Sequence, residues 1–282
     1  MEDQEFESGE ELLKAKQKER EIRKGKKKQS FLKGLTRFLV GTGIIVGVFY
    51  FTEMPGWYLP QDAFLKGEPA VVQIVNNKIT KTSKFLSVIK KVEVPHIPLF
   101  LTNLDNLKNE LLALPPVEDV YIRRFAFPAR VLIIVREATP SITIAPDEKV
   151  NPVAAYTKDG RLITGADYLP LPPEYKTIRV LSYGNKGDDY TKWDLDKIRE
   201  IEKIAKYVET FSRESVEYID LRNPKDIYVK VATAPIRLGH IDANIYERIK
   251  RIPSILPQVK QVTGKVKYID LGWEKVNYLK ME

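Results

Sequence analysis

An uncharged apolar run covers residues 38–52, and a strongly basic segment precedes it. Residues 14–37 contain eleven Lys or Arg and two Glu, whereas residues 53–68 contain three acidic residues and one Lys. Positive charge on one side of an apolar segment keeps that side in the cytoplasm. The sequence therefore predicts a cytoplasmic tail over residues 1–30, a transmembrane helix over residues 31–54, and every later residue on the outer face of the membrane.

The length of the run leaves two other interpretations open, a buried core helix and a cleaved signal peptide. Fifteen uncharged residues cover about 22 Å of helix, against about 30 Å for a bilayer core. Basic Lys33 and Arg37 extend the span on one side, and aromatic Trp57 and Tyr58 suit the interface on the other. The charge bias disfavours a core helix, and no small-residue cleavage site follows the run. We therefore expect an uncleaved anchor.

Gly43 and Gly47 lie four residues apart within the run. Small residues at this spacing let two helix backbones approach closely, so this face could pack against a second transmembrane helix. Glycine is also common in membrane spans without that role.

Composition excludes several classes of function. The net charge is +8, but the excess over residues 38–282 is spread along the chain, without a basic stripe carrying interleaved aromatic residues. We therefore expect no binding to nucleic acid. The chain has no Cys, so disulfides and thiol chemistry are excluded, and the outer part must be stabilised by a packed core. The acidic start, residues 2–11, is poor in apolar residues and is expected to be disordered.

Residues 69–140 show the order strand, helix, helix, strand, strand. A β-branched run at 71–75 is followed by helical spacing of apolar residues over 81–92 and 104–114, and then by apolar strands near 117–124 and 131–135. Residues 55–68 contain Pro and Gly without periodicity and are expected to form a linker.

Residues 141–282 favour a mostly antiparallel β domain with two helices, so the fold class is α+β. Short strands and turns alternate, and helical periodicity is restricted to residues 193–211 and 243–256, where Pro253 is expected to kink or end the second helix. The remaining apolar segments predict strands near 154–156, 162–163, 178–181, 215–222, 226–232, 235–238, 266–271 and 275–279.

No arrangement of residues indicates an active site. His96 and His240 are far apart and next to Pro or Gly, so they suit turns better than a metal site, which needs three or four ligands. Two Ser-x-x-Lys matches, at Ser30 and Ser87, lack the further motifs that a penicillin-binding enzyme requires. We expect no catalysis, no cofactor and no small-molecule substrate.

Several segments resemble the FtsQ/DivIB family of bacterial cell-division proteins, and together they span nearly the whole chain. The first strand and the passage from second helix to hairpin are similar to a POTRA domain, although Asn76 stands in place of a more usual Gly and Pro116 in place of Trp. Gly272 stands where an Arg is common. The matching segments are residues 72–80, 111–124, 127–140, 155–160, 236–239 and 268–271.

The resemblance implies a divisome scaffold in the bacterial cell inner membrane, single-pass with its N-terminus inside and enriched at the division septum. Family members bind FtsB and FtsL, small single-span coiled-coil proteins, and link them to the septal peptidoglycan synthase complex. The partner adds a β-strand to the edge near the C-terminus. Carried onto this chain, the resemblance predicts these partner-binding residues: Arg237, Gly272, Trp273, Glu274, Val276 and Tyr278.

Trp273 and Tyr278 could instead be ordinary aromatic residues of the β core. Two other functions remain as alternatives. A POTRA-containing component of envelope protein transport normally has tandem POTRA repeats or a terminal barrel, and an anchored envelope hydrolase requires a nucleophile, a base and an acid that we do not find here.

Overall fold

A computed structural model describes residues 2–60, 62–93, 96–184, 188–273 and 278–281. The chain divides into two units, Met1–Tyr58 and Leu59–Glu282. The second unit contains two sheets, of three and nine strands.

The first unit contains one long helix, α1 (Glu2–Thr52). Within it, Gln29–Thr52 is long and apolar enough to cross a membrane, as the sequence predicts. The expected disorder over residues 2–11 is wrong, because α1 includes them; five of these ten residues are Glu, a strong helix former. After α1 ends, the Trp57 indole N–H donates to the Phe51 carbonyl (2.7 Å), and the Tyr58 hydroxyl donates to the Thr52 carbonyl (3.1 Å). These bonds satisfy carbonyl groups that the helix end leaves without intrahelical partners.

The first part of the second unit is a three-stranded sheet with helices, and it confirms the predicted order strand, helix, helix, strand, strand. The strand order is β1–β3–β2, with β1 parallel and β2 antiparallel to β3. Apolar residues of the helices and strands form one core. The elements are α2 (Ala63–Lys66), β1 (Val72–Val75), α3 (Thr82–Ile89), α4 (Asp105–Leu112), β2 (Val117–Phe125) and β3 (Arg130–Glu137).

The segment expected to be a linker contributes to this core. Leu59 and Phe64 are buried against it. Gly67 ends α2 with a positive φ of 61°, the left-handed conformation that glycine adopts most readily. A packed helix of four residues therefore precedes β1.

The second part is built on the nine-stranded sheet, with strand order β12–β11–β10–β9–β8–β7–β4–β5–β6. Five of its strand pairings are antiparallel and three are parallel, as the fold class predicts. Its elements are β4 (Pro140–Ala145), β5 (Ala154–Thr157), β6 (Leu162–Thr164), β7 (Ile178–Leu181), α5 (Leu195–Ser212), β8 (Val216–Asp220), β9 (Ile227–Val231), β10 (Pro235–Gly239), α6 (Ile245–Lys250), α7 (Ile252–Val259), β11 (Val266–Asp270) and β12 (Tyr278–Met281).

Two elements differ from the sequence prediction. Strand β4 is a central strand with all six residues buried, and it was missed because Ser141 and Thr143 interrupt its apolar pattern. The predicted helix over 243–256 is present as two helices, α6 and α7, which meet at Arg251. Pro253 lies in the first turn of α7, where its missing N–H has no intrahelical partner to lose.

The helices α5, α6 and α7 cover one face of the nine-stranded sheet and form the larger core with it. On the opposite face, Tyr168 and Leu169 pack over β5 and β6. Over β8 to β11, that opposite face carries mostly half-buried side chains, many of them polar or aromatic, and over β12 the side chains are exposed. We call this face of β8 to β12 the outer face.

Candidate partner-binding edge

Strand β12 forms one edge of the nine-stranded sheet. Among the strands that the structure describes, only β11 pairs with β12, in antiparallel register from Val266↔Met281 to Asp270↔Tyr278. All four β12 side chains are exposed, including Tyr278 at 54%. An edge strand presents backbone N–H and C=O groups to which another chain can add a strand. Strand β12 therefore offers such an edge, which overlaps the predicted strand 275–279 at residues 278 and 279, and Tyr278 lies outside the core.

Trp273 follows β11 and is 60% exposed. Its backbone is held by Arg251, whose guanidinium donates from Nη1 to the Trp273 carbonyl (2.8 Å) and from Nη2 to the Leu271 carbonyl. Burial, with the positive charge of Arg248, lowers the pKa of Arg251. The junction of α6 and α7 thus fixes the chain as it leaves β11. Sequence reasoning missed Arg251, because no local pattern connects it to residues 20 and 22 positions further along the chain.

Gly272 makes the tight turn between β11 and Trp273. Its N–H donates to Asp270 Oδ1 (2.9 Å), and a Cβ placed on Gly272 would lie 3.2 Å from the same oxygen. A side chain at this position would therefore crowd the carboxylate that holds the turn.

Arg237, on β10, lies between two carboxylates. Its Nε donates to Asp226 Oδ1 (2.8 Å) and its Nη1 donates to Asp270 Oδ2 (2.7 Å). The Arg237 side chain is 29% exposed and that of Asp270 is 9% exposed. The hydrogen bond to Asp226, followed by that to Asp270, raises the pKa of Arg237 despite its partial burial. Arg237 was predicted to meet acidic partner side chains; the structure places it in this internal triad.

The triad belongs to a row of residues that crosses the outer face. Residues in direct register share a face of a pleated sheet. Successive strand pairings from β8 to β12 align Asp220, Tyr228, Arg237, Asp270 and Tyr278. The sheet register therefore brings the predicted Arg237 and Tyr278 into one row, with Asp270 between them.

Two aromatic rings, that of Tyr228 in the row and that of Tyr268 next to it, are in contact on the outer face. Tyr228 and Tyr268 are in edge-to-face contact, with ring centroids 5.6 Å apart, and Lys280 Nζ lies 5.8 Å from the Tyr268 ring centroid. Burial, with the negative charge of Asp226, raises the pKa of Tyr228. These tyrosines were not predicted as site residues, although their alternation with buried Val229 and Ile269 is a signal that places them on the outer face.

The other predicted residues are placed as follows. Glu274 and Val276 lie outside the described residues. Gly43 and Gly47 are exposed on α1. Apart from neighbouring residues of the helix itself, no atom of the described chain lies within 4 Å of a Cβ built at either position, so close approach of a second helix is sterically open.

The two histidines lie at exposed positions. His240 Nε2 is 3.2 Å from Asp242 Oδ2. Arg248 donates from Nη1 to the same oxygen (2.9 Å), and its Nη2 lies 2.9 Å from Asp242 Oδ1. Within the described parts of the chain, no group of three or more His, Asp or Glu side chains could hold a metal ion.

No protein-family model matches the chain. Among curated proteins, the chain is similar to the cell division protein DivIB of Clostridium tetani (strain Massachusetts / E88). The two are 24% identical over 212 residues, which cover 72% of this chain and 76% of that protein. This similarity confirms the predicted resemblance of the chain to the FtsQ/DivIB family.

Proposed function

We propose that this chain is a non-enzymatic, membrane-anchored scaffold of bacterial cell division. The similarity to a protein named cell division protein DivIB supports the cell-division role. The apolar helix Gln29–Thr52 fits a single-pass anchor, and the basic residues before it favour a cytoplasmic N-terminus. In this proposal the protein lies in the inner membrane, is enriched at the septum, and exposes residues 55–282 outside.

The proposed division of the chain follows the sequence prediction. Residues 1–30 are the tail, 31–54 the transmembrane helix, 55–68 the connecting segment, 69–140 a POTRA domain and 141–282 the β domain. The three-stranded sheet with two crossing helices supports the POTRA assignment.

We further propose that small single-span division proteins of the FtsB/FtsL type add a strand to β12, and that the chain thereby links them to the septal peptidoglycan synthase complex. The observation that carries this proposal is the exposed edge strand β12, which begins at Tyr278, together with the exposed Trp273 that follows β11. Large aromatic side chains contribute strongly to binding at interfaces. Glu274 and Val276 would complete the edge.

Arg237 takes a different part in this proposal from the one that the sequence suggested. Because both of its carboxylate partners belong to this chain, Arg237 orients Asp270, and Asp270 holds the turn at Gly272. We infer that Arg237 positions the edge and does not meet the partner directly.

The test is co-purification of the full-length chain with FtsB/FtsL-type proteins from the same organism. Trp273→Glu and Tyr278→Glu each place a charge at the edge. Each should reduce the amount of FtsB/FtsL-type protein that co-purifies, without changing the melting temperature of the chain. Tyr121→Glu is the matched control, since Tyr121 is an exposed aromatic residue on β2, in the other sheet. Normal co-purification of FtsB/FtsL-type proteins with both edge variants would contradict the assignment of β12 as the partner-binding edge.

The cell-division role is tested separately by a fluorescent protein fused to the N-terminus. A midcell band in cells that are about to constrict or are constricting is expected. A uniform envelope signal would contradict septal enrichment and favour the transport alternative.

A further inference from the structure

One end of the three-stranded sheet is defined by the starts of β1 and β3. These strands are parallel, with Val72 opposite Val131, so both begin at the same end, and the turn between β2 and β3 lies there. Arg124, near the end of β2, donates from Nη1 to the Thr102 carbonyl (2.5 Å). The loop before α4 therefore lies at the same end, which we call the proximal end.

Large apolar side chains are exposed at this proximal end. Leu101 is 64% exposed and Phe127 is 56% exposed, and two further apolar residues of the loop, Ile97 and Phe100, are also exposed. Such side chains come from two separate segments, 96–104 and 126–129. Grouped exposed apolar residues of this kind mark contact with a protein or a membrane.

The same end is rich in basic residues. Arg123 and Arg130 flank the Phe125 ring, with guanidinium carbons 4.8 and 4.5 Å from its centroid. With Arg124, they place three arginines close to the turn between β2 and β3. The stacked arginines keep their charge beside the exposed apolar side chains.

The chain itself connects this part of the protein to the membrane helix. Six residues, 53–58, separate Thr52 from buried Leu59. Even fully extended, this connection reaches at most about 25 Å. Residues 68–71, which lead into β1, belong to the proximal end, because Val72 begins β1 there. The covalent connection therefore keeps the unit that contains this end near any membrane that α1 spans.

We propose that the proximal end binds the lipid surface of the membrane that α1 spans. The arginines contact anionic headgroup phosphates, and the side chains of Phe127, Leu101 and Phe100 enter the interface between headgroups and acyl chains. Attraction of basic residues to an anionic surface favours membrane binding, and so does the burial of apolar side chains in the interface. The proposal is independent of partner binding at β12.

The natural absence of Cys provides a direct test, because a single introduced Cys is labelled uniquely. The full-length chain carrying Phe127→Cys or Leu101→Cys is labelled with the fluorophore NBD and placed in vesicles of equimolar phosphatidylcholine and phosphatidylglycerol. Ala113→Cys is the control, since Ala113 is exposed where α4 meets the start of β2, at the opposite end of the same sheet. Reduction by external dithionite is expected to be several-fold slower at positions 127 and 101 than at 113.

The effect of removing arginine charges on the dithionite rate tests whether anionic lipid headgroups are the ligand of the proximal end. Arg123→Gln with Arg130→Gln weakens the attraction to anionic headgroups by on the order of fivefold for each charge removed, so the dithionite rate at position 127 should rise several-fold, to the rate at position 113. Equal rates at positions 127 and 113 in vesicles would overturn the proposal. Protection that appears only when an FtsB/FtsL-type protein is added would also overturn it, and would assign this end to that protein.

Discussion

Replacing Arg237 with Met tests whether the triad on the outer face holds the edge of the sheet. Met retains much of the aliphatic length and removes the guanidinium. Asp270, 9% exposed, and Asp226, 23% exposed, then lose their shared cation. Two nearby carboxylates without a positive partner repel each other and are costly to keep away from water. We therefore expect Arg237→Met to destabilise the folded domain.

The magnitude follows from the contacts. Each hydrogen bond to a charged group contributes roughly 1.5–3 kcal/mol, and removal of one partner of a fully buried pair costs roughly 3–5 kcal/mol. Arg237 is 29% exposed, and Asp270 keeps its bond from the Gly272 N–H, which reduces the loss. A cost of about 2–3 kcal/mol is expected, and for a domain of this size it corresponds to a Tm lowered by roughly 5–10 °C.

The assay is thermal unfolding of the full-length chain in detergent, followed by circular dichroism. Arg136→Met is the matched control, because Arg136 also pairs with a carboxylate, Glu118, but both side chains are solvent-exposed. Exposed ion pairs contribute little to the free energy of unfolding, so the Tm of the control variant should be close to that of the original protein. If Arg237→Met has the same Tm as the control variant, the triad does not stabilise the edge and the reasoning is refuted.

Three further changes test other parts of the fold. Arg248 holds the pKa of Asp242 below its usual 3.8, so the stabilisation from this pair is complete at neutral pH and is lost as the pH falls from 3.8 through the lowered pKa. Asp242→Asn should therefore lower Tm at about pH 7, and this difference in Tm should shrink as the pH falls below 3.8. Glu137→Ala removes three hydrogen bonds that its carboxylate accepts from backbone N–H groups of residues 78–80 and should cost about 2 kcal/mol in urea unfolding. Leu111→Ala empties a fully buried site and should cost about 3 kcal/mol by the same method.

Each of these has an outcome that contradicts it. If the Tm difference between Asp242→Asn and the original protein does not change with pH, the charge of the Asp242 carboxylate does not stabilise the fold. An unchanged urea midpoint for Glu137→Ala would mean that water replaces the three lost bonds without cost. Leu101→Ala, at an exposed position, is the control for Leu111→Ala and should leave the midpoint unchanged.

Local periodicity was enough to predict most elements of the fold. The apolar run and its basic flank predicted the membrane-spanning candidate, and the regular spacing of apolar residues predicted α3, α4 and α5. Strand β4 was missed, because Ser141 and Thr143 interrupt its apolar pattern and nothing local shows that both side chains are buried. Leu59 and Phe64 were expected in a linker, since nothing local shows that they pack into a distant core.

The sequence by itself determined the membrane-spanning candidate, the order of the elements and the aromatic character of the C-terminal edge, because these depend on composition and spacing within short segments. Only the tertiary structure decided that Arg237 bonds to Asp226 and Asp270, and that Arg251 holds the backbone at Trp273. These contacts join residues 11 to 33 positions apart. Strand register and helix packing bring such residues together, and both are set by the sum of many weak contacts across the whole domain.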